Sequence, residues 1–183
     1  QINLGDTFTD ILSRSNGEEL LGDYYQSAVE TFIYDNPDVF YLDVNKLYLN
    51  IETTTKRNDV TYNVFINNGS EVNYFDDGYN SEEQVNQAMA QLESVKNQIV
   101  SQAQGSTYNK VKYVHDYLVE NTEYDSTISN PDIYNIYGTL IRKSSVCEGY
   151  AKSFKYLMDA LNIPCVIVIG NATNSSGESE SHA

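Results

Sequence analysis

The apolar residues of this chain switch from a helical period to strict alternation and back again, and that switch limits the possible folds more than any other feature. Over residues 46–67 they alternate: Leu47, Leu49 and Ile51 with Tyr48 and Asn50 between them, then Val60, Tyr62, Val64 and Ile66 after Lys56-Arg57-Asn58-Asp59. A period of two around a polar turn predicts a β-hairpin with one buried face. On either side the period is helical. Leu20, Leu21, Tyr24, Tyr25, Ala28, Val29, Phe32 and Ile33 predict a helix over 18–35, broken by Asn36-Pro37-Asp38. Ser81 and Gln84 form a capping-box pattern ahead of Val85, Ala88, Met89, Leu92, Val95, Ile99 and Ala103, a helix over 81–104 that Gly105 ends. Further helices are expected over 107–120 and 146–161. Residues 71–75 read as a third strand, 122–144 as loop, 165–169 as a buried strand and 171–181 as a polar loop. Helices and strands segregated in this way make an α+β fold, with a helix-plus-hairpin region over 1–80 ahead of a core over 81–183.

Composition narrows the function. The chain has 183 residues, long enough to bury a core without disulfide staples. Lys and Arg number 11 against 26 Asp and Glu, a formal net charge of −15. A field of that sign repels phosphate backbones and anionic lipid surfaces, which argues against nucleic-acid partners and a polybasic membrane anchor. No apolar run approaches the ~18–20 residues of a transmembrane helix. The two cysteines, Cys147 and Cys165, make neither a disulfide framework nor a zinc spacing. Glu120, Glu123, Glu178 and Glu180 show no ligand spacing either, so no metal and no cofactor is expected. Sixteen Tyr without a Trp, together with abundant Asn, Ser and Thr, fit a secreted or surface protein of a bacterium. Gln1 in first position fits a chain whose leader has been removed. The sequons at Asn68, Asn171 and Asn174 matter only in a source that glycosylates.

Ser145-Val146-Cys147-Glu148-Gly149-Tyr150-Ala151 is the segment with chemical promise. Ser145 and Glu148 form a second capping-box pattern, which puts Cys147 at the second position of a helix. Its apolar face runs through Tyr150, Ala151, Phe154, Leu157, Met158 and Leu161 and is expected to turn toward the core. The dipole and unpaired N–H groups at a helix start favour a thiolate and offer donors to an oxyanion. Gly149 lets a backbone or a substrate come close. A nucleophilic thiol needs a base, and the chain holds two histidines. His182 follows the expected strand and polar loop. His115 lies beside Val111 and Leu118 and reads as a core residue. Cys165 reads as a small core residue within its strand. Arg142 and Lys143 read as solvated loop charges, the alternative being that they lower the thiol pKa or meet a substrate carboxylate. Tyr134 and Tyr137 read as packing surface, with cleft lining as the other reading.

Val-Cys-Glu-Gly-Tyr-Ala, a helix, Leu-Asn-Ile-Pro-Cys with an apolar strand, and then Ser-His-Ala resemble the transglutaminase-like superfamily of papain-type cysteine enzymes. His115-Asp116-Tyr117-Leu118 followed by Tyr124-Asp125 resembles the helix ahead of the nucleophile in bacterial members. Asp35-Asn36-Pro37-Asp38-Val39-Phe40-Tyr41 is similar to regions preceding this domain in bacterial surface proteins. The resemblance implies a Cys-bearing helix packed on an antiparallel sheet, with Cys147 as nucleophile and His182 as general base and acid. It also implies a third member, an Asp on the following strand, which has no counterpart here. Asp116 and Asp125 do not match its position. The resemblance therefore implies a chain cut just after the catalytic histidine, with its C-terminal strands missing. The implied activity is acyl transfer through a thioester on peptide or protein amides outside the cell, cell-wall peptides among them, ending on water or on an amine. Two other readings stay open: an inactive binding or structural module at the surface, and a fragment whose sheet is completed by a second chain or a swapped copy.

Overall fold

The computed structural model describes residues 1–71, 73–128, 130–173 and 176–183, and these form two compact units. Val72 of the expected strand 71–75, the Asn174 sequon and Ser175 of the expected loop 171–181 lie outside the described residues.

The first unit comprises residues 1–32 and 42–76. Its elements are β1 (Ile2–Gly5), the short α1 (Thr9–Leu12), most of α2 (Gly17–Asp35), β2 (Tyr48–Lys56) and β3 (Asp59–Asn67). The strands form an antiparallel sheet in the order β1-β3-β2. The expected hairpin is present. Its last pair is Lys56 with Asp59, and the two-residue loop has Arg57 at φ 58°, the positive value that tight hairpin loops require. Val64 on the central strand is fully buried with Leu12 and Leu21, and Leu49, Ile51 and Tyr62 pack around them. Of the described residues in 71–75, Phe75 alone pairs, in a bridge to Leu42.

The second unit comprises residues 33–41 and 77–183. Ser81 caps α3 (Glu82–Gln102), accepting from the Gln84 N–H at 3.3 Å, while Gln84 Oε1 accepts from the Asn80 N–H at 2.7 Å. The box forms as expected, with its return bond one residue earlier. Val85, Ala88, Leu92 and Ile99 make the buried stripe of this helix. Next comes α4 (Thr107–Asn121), capped by Ser106 and buried at Val114 and Leu118. Residues 122–144 are not loop throughout. They contain β4 (Glu123–Tyr124) and a π-helical turn, Gly138–Arg142, and they bury Ile133, Ile136 and Leu140. Ile133, Ile136 and Leu140 fall at i, i+3 and i+7, a helical spacing too short to stand out between the turn residues Asn130-Pro131-Asp132 and Gly138.

β5 (Ser144–Ser145) pairs parallel with β4 and leads into α5 (Cys147–Ala160). This helix packs on α3, α4 and the π-helical turn. It closes in a Schellman motif: the Ile163 N–H donates to the Met158 carbonyl at 2.9 Å, and Asn162 donates to Asp159 at 3.0 Å from a φ of 54°. The buried strand expected over 165–169 is not formed. Val166 and Val168 are 76% and 75% exposed, while Cys165 and Ile167 are half-buried. One side of the run packs and the other meets solvent, so an apolar run without alternation in residue type still alternates in burial. Pairing begins one residue later. β6 (Gly170–Thr173) and β7 (Ser179–His182) form an antiparallel hairpin with Gly170 opposite His182, in place of the expected polar loop. Helices and paired strands together make an α+β architecture. Among the described residues no helix is long and apolar enough to cross a membrane.

Candidate active site

A buried polar knot sets the start of α5. Ser145 is fully buried; its Oγ donates to the Ile133 carbonyl at 3.0 Å and lies 2.8 Å from Thr139 Oγ1. The same carbonyl accepts from the Val146 N–H at 3.1 Å. Gly149 sits directly over this knot. A Cβ there would stand 2.1 Å from Ser145 Oγ and 2.5 Å from the Ile133 carbonyl oxygen. The glycine thus admits a neighbouring backbone, one of the two roles expected of it.

Two expectations are corrected at this point. The Ser145–Glu148 capping box does not form, because the serine hydroxyl is turned inward to Ile133 and Glu148 pairs with Lys152 at 2.6 Å. The N-cap is Val146, whose side chain makes no capping bond, so Cys147 is the first residue of the helix and not the second. An aliphatic N-cap leaves the N–H groups of the first turn without a side-chain acceptor. The second correction concerns the face of α5. Gly149, Ser153, Leu157 and Met158 are its buried side, whereas Cys147, Tyr150, Ala151 and Phe154 are half-buried along a cleft.

Cys147 lies where two clefts of about 490 and 320 Å³ meet. The residues common to both are Tyr124, Cys147 and His182. The larger cleft continues along Leu118, Val119, Tyr150, Ala151 and Phe154, and the smaller along Asp125, Ser126, Tyr134 and Ser181. The structure therefore brings the thiol and His182 to one place, with the imidazole carried at the end of β7.

His115 also lines the larger cleft. It is not the core residue expected from its apolar neighbours. Its side chain is 65% exposed, with Nδ1 3.1 Å from Asp116 Oδ1. The buried stripe of α4 passes through Val114 and Leu118, and a residue one step on from Val114 is rotated off that stripe. The Asp116 carboxylate, hydrogen-bonded by Lys112 and then by His115, is held below the usual aspartate range. Asp125 lines the smaller cleft, with Oδ1 accepting from the Thr127 N–H at 2.9 Å and its hydroxyl at 2.7 Å, and Oδ2 from Ser144 at 3.1 Å.

Arg142 is exposed, as expected of a solvated charge, and Lys143 is half-buried, but both have partners of their own and neither lines the clefts at the thiol. Arg142 Nε donates to Oδ2 of the fully buried Asp132 at 2.5 Å, and its guanidinium lies 5.4 Å from the Tyr137 ring centre. That hydrogen bond pushes the guanidinium pKa up. Lys143 donates to the Tyr117 hydroxyl at 3.2 Å from a left-handed backbone, φ 62°. Both face a separate cavity of about 440 Å³. Tyr137 stacks on Phe40 with ring centres 6.0 Å apart, while Tyr134 borders the smaller cleft, so the two tyrosines divide between the two readings. Cys165 is half-buried, and burial pushes its thiol up. Sequence reasoning missed Asp132, whose Asn130-Pro131-Asp132 context reads as a turn, and Thr139, which carries no motif at all.

Fold and site define an α+β protein with a cysteine at an uncapped helix start, facing an open cleft. Residues 93–183 match the family model described as the Transglutaminase-like superfamily, and through these residues the chain belongs to that superfamily. No curated protein matches the chain. A solved structure described as the crystal structure of a TGase is similar over 75% of this chain and 42% of that one, at 15% identity and a TM-score of 0.42. The chain thus spans less than half the length of that solved relative.

Proposed function

We propose that this chain carries a thiol-dependent acyl-transfer site acting on peptide or protein amides outside the cell, with Cys147 as nucleophile and His182 as its base. The observation that supports this reading most directly is the shared position of Cys147 and His182 on both clefts, at a helix start that no side chain caps. In the first step the imidazole takes the thiol proton and the sulfur attacks the amide carbon. The carbonyl pair moves to oxygen, where the N–H groups of the first turn of α5 meet the developing charge. Collapse breaks the C–N bond, and the leaving amine takes the proton from the imidazolium, which leaves a thioester on Cys147. Water or a second amine then attacks the thioester, His182 carrying the proton, and the thiol is restored. Superfamily membership supports the reaction class. The field of a chain with net charge −15 favours cationic over anionic acceptors.

Amine release from a peptide anilide tests this reading. The chain is expected to liberate the amine, Cys147→Ala to abolish release, and His182→Ala to slow it by about 10²–10⁴-fold. Equal rates from the parent and Cys147→Ala would contradict it.

A further inference from the structure

Tyr124 has a large ring that is 60% exposed, yet its position is fixed from two sides. Its strand is pinned to β5 by the Glu123 N–H on the Lys143 carbonyl and the Asp125 N–H on the Ser145 carbonyl, both at 2.9 Å. Its ring stacks on Tyr150, with centres 6.3 Å apart and planes 15° from parallel. Tyr150 is itself anchored, its hydroxyl donating to the Thr122 carbonyl at 2.5 Å. Burial, and then the nearby Glu123 charge, push that phenol up, so it stays protonated as a donor. An exposed aromatic on a rigid base contacts a ligand with little entropy left to lose.

The two clefts that meet at this ring have different walls. Leu118, Val119 and Phe154 make the larger one strongly apolar, whereas the smaller one is mixed, with the Asp125 carboxylate and the Ser126 and Ser181 hydroxyls beside Ile128, Tyr134 and Val146. Tyr124 borders both, beside Cys147.

We infer that Tyr124 is a specificity-determining residue: it divides the cleft at Cys147 into an apolar subsite and a mixed subsite that carries the Asp125 carboxylate, so that the favoured substrate is an amide bearing an apolar group close to the reacting carbon. The inference rests on Cys147 being the nucleophile. An apolar side chain gains by leaving water for the larger cleft, roughly 0.8 kcal/mol per buried methylene. The Tyr124 ring borders that cleft and keeps the apolar group from slipping to the mixed side. Tyr124→Ala merges the subsites, while Tyr124→Phe keeps the ring and its stack.

N-substituted iodoacetamides test this without knowledge of the natural substrate. In each, the Cys147 sulfur displaces iodide, forming the S–C bond and releasing the thiol proton. Rates at Cys147 are followed by intact mass for N-butyl and N-hydroxyethyl iodoacetamide, each normalised to plain iodoacetamide with the same variant. The parent chain should favour the butyl reagent about tenfold, Tyr124→Phe should keep that preference, and Tyr124→Ala should reduce it to within about twofold. Val119→Ser, on the exposed side of the larger cleft, should lower the butyl rate alone. The inference is overturned if the parent shows no preference, or if Tyr124→Ala retains it. Rapid plain alkylation without discrimination removes the subsite assignment and leaves the nucleophile in place. Slow plain alkylation, no faster than at Cys165, removes both.

Discussion

Gly149 lies so close to Ser145 that a β-carbon on it would stand 2.1 Å from the serine Oγ. The first turn of α5 therefore rests directly on the buried Ser145–Thr139–Ile133 knot, and Cys147 takes its place at the cleft from that seating. Gly149→Ala forces the helix away from the knot or the serine out of it. Overpacking of this kind costs about 1–3 kcal/mol. Urea denaturation should show the midpoint falling accordingly. An unchanged midpoint would mean that the contact yields without strain.

Asp132 and Arg142 hold the segment beneath that knot. Removing the arginine leaves a fully buried carboxylate whose remaining side-chain donor among the described residues is Asn135, at 3.1 Å. Breaking a wholly buried pair costs about 3–5 kcal/mol. The Arg142 side chain is 48% exposed, so water reaches the pair and a loss of about 2–3 kcal/mol is expected for Arg142→Ala. Arg142→Ala with Asp132→Asn should cost less than the sum of the two single changes, because the orphaned charge is gone. Strict additivity in denaturation would argue against a working pair.

Tyr25, Tyr150 and Tyr156 keep their protons beyond the ordinary phenol value of 10.0, chiefly because burial disfavours the phenolate. The sign follows from proton counts. Above pH 10 the unfolded chain has released these protons while the folded chain still holds them, so stability present below that pH is lost as the pH rises. The urea midpoint should fall between pH 10 and 11, and Tyr150→Phe and Tyr156→Phe should each reduce the slope. A slope unaffected by either change would place the alkaline loss elsewhere.

The parts of this fold that were readable in the sequence are those where periodicity and burial coincide. Val64 and its alternating neighbours meet one core, so the hairpin followed from period two. Val85, Ala88, Leu92 and Ile99 do the same for α3 at helical spacing. Periodicity does not say what an apolar face meets. Tyr150, Ala151 and Phe154 repeat like core residues but border a cleft, and Val166 and Val168 read like a buried strand but face solvent. Ser145 matched a local capping pattern and lost it to a carbonyl twelve residues away, a partner that only the tertiary fold supplies. Cys147 and His182 stood out through the order of short motifs. Tyr124 entered only as part of a Tyr-Asp match without a role, and Asp132 only as a turn residue, because an exposed ring beside a thiol and an acid under an arginine are made by chain crossings rather than by spacing.

Cys165, with its thiol pushed up by burial, is the internal reference for the central claim that Cys147 is a nucleophile served by His182. The direct measurement is the rate of iodoacetamide labelling at each cysteine near neutral pH, in the parent chain and in His182→Ala. Labelling of Cys147 at least about tenfold faster than Cys165, slowed by His182→Ala while Cys165 is unaffected, is the predicted result. Equal and slow labelling of both thiols, or a Cys147 rate that responds to His115→Ala and not to His182→Ala, would contradict it.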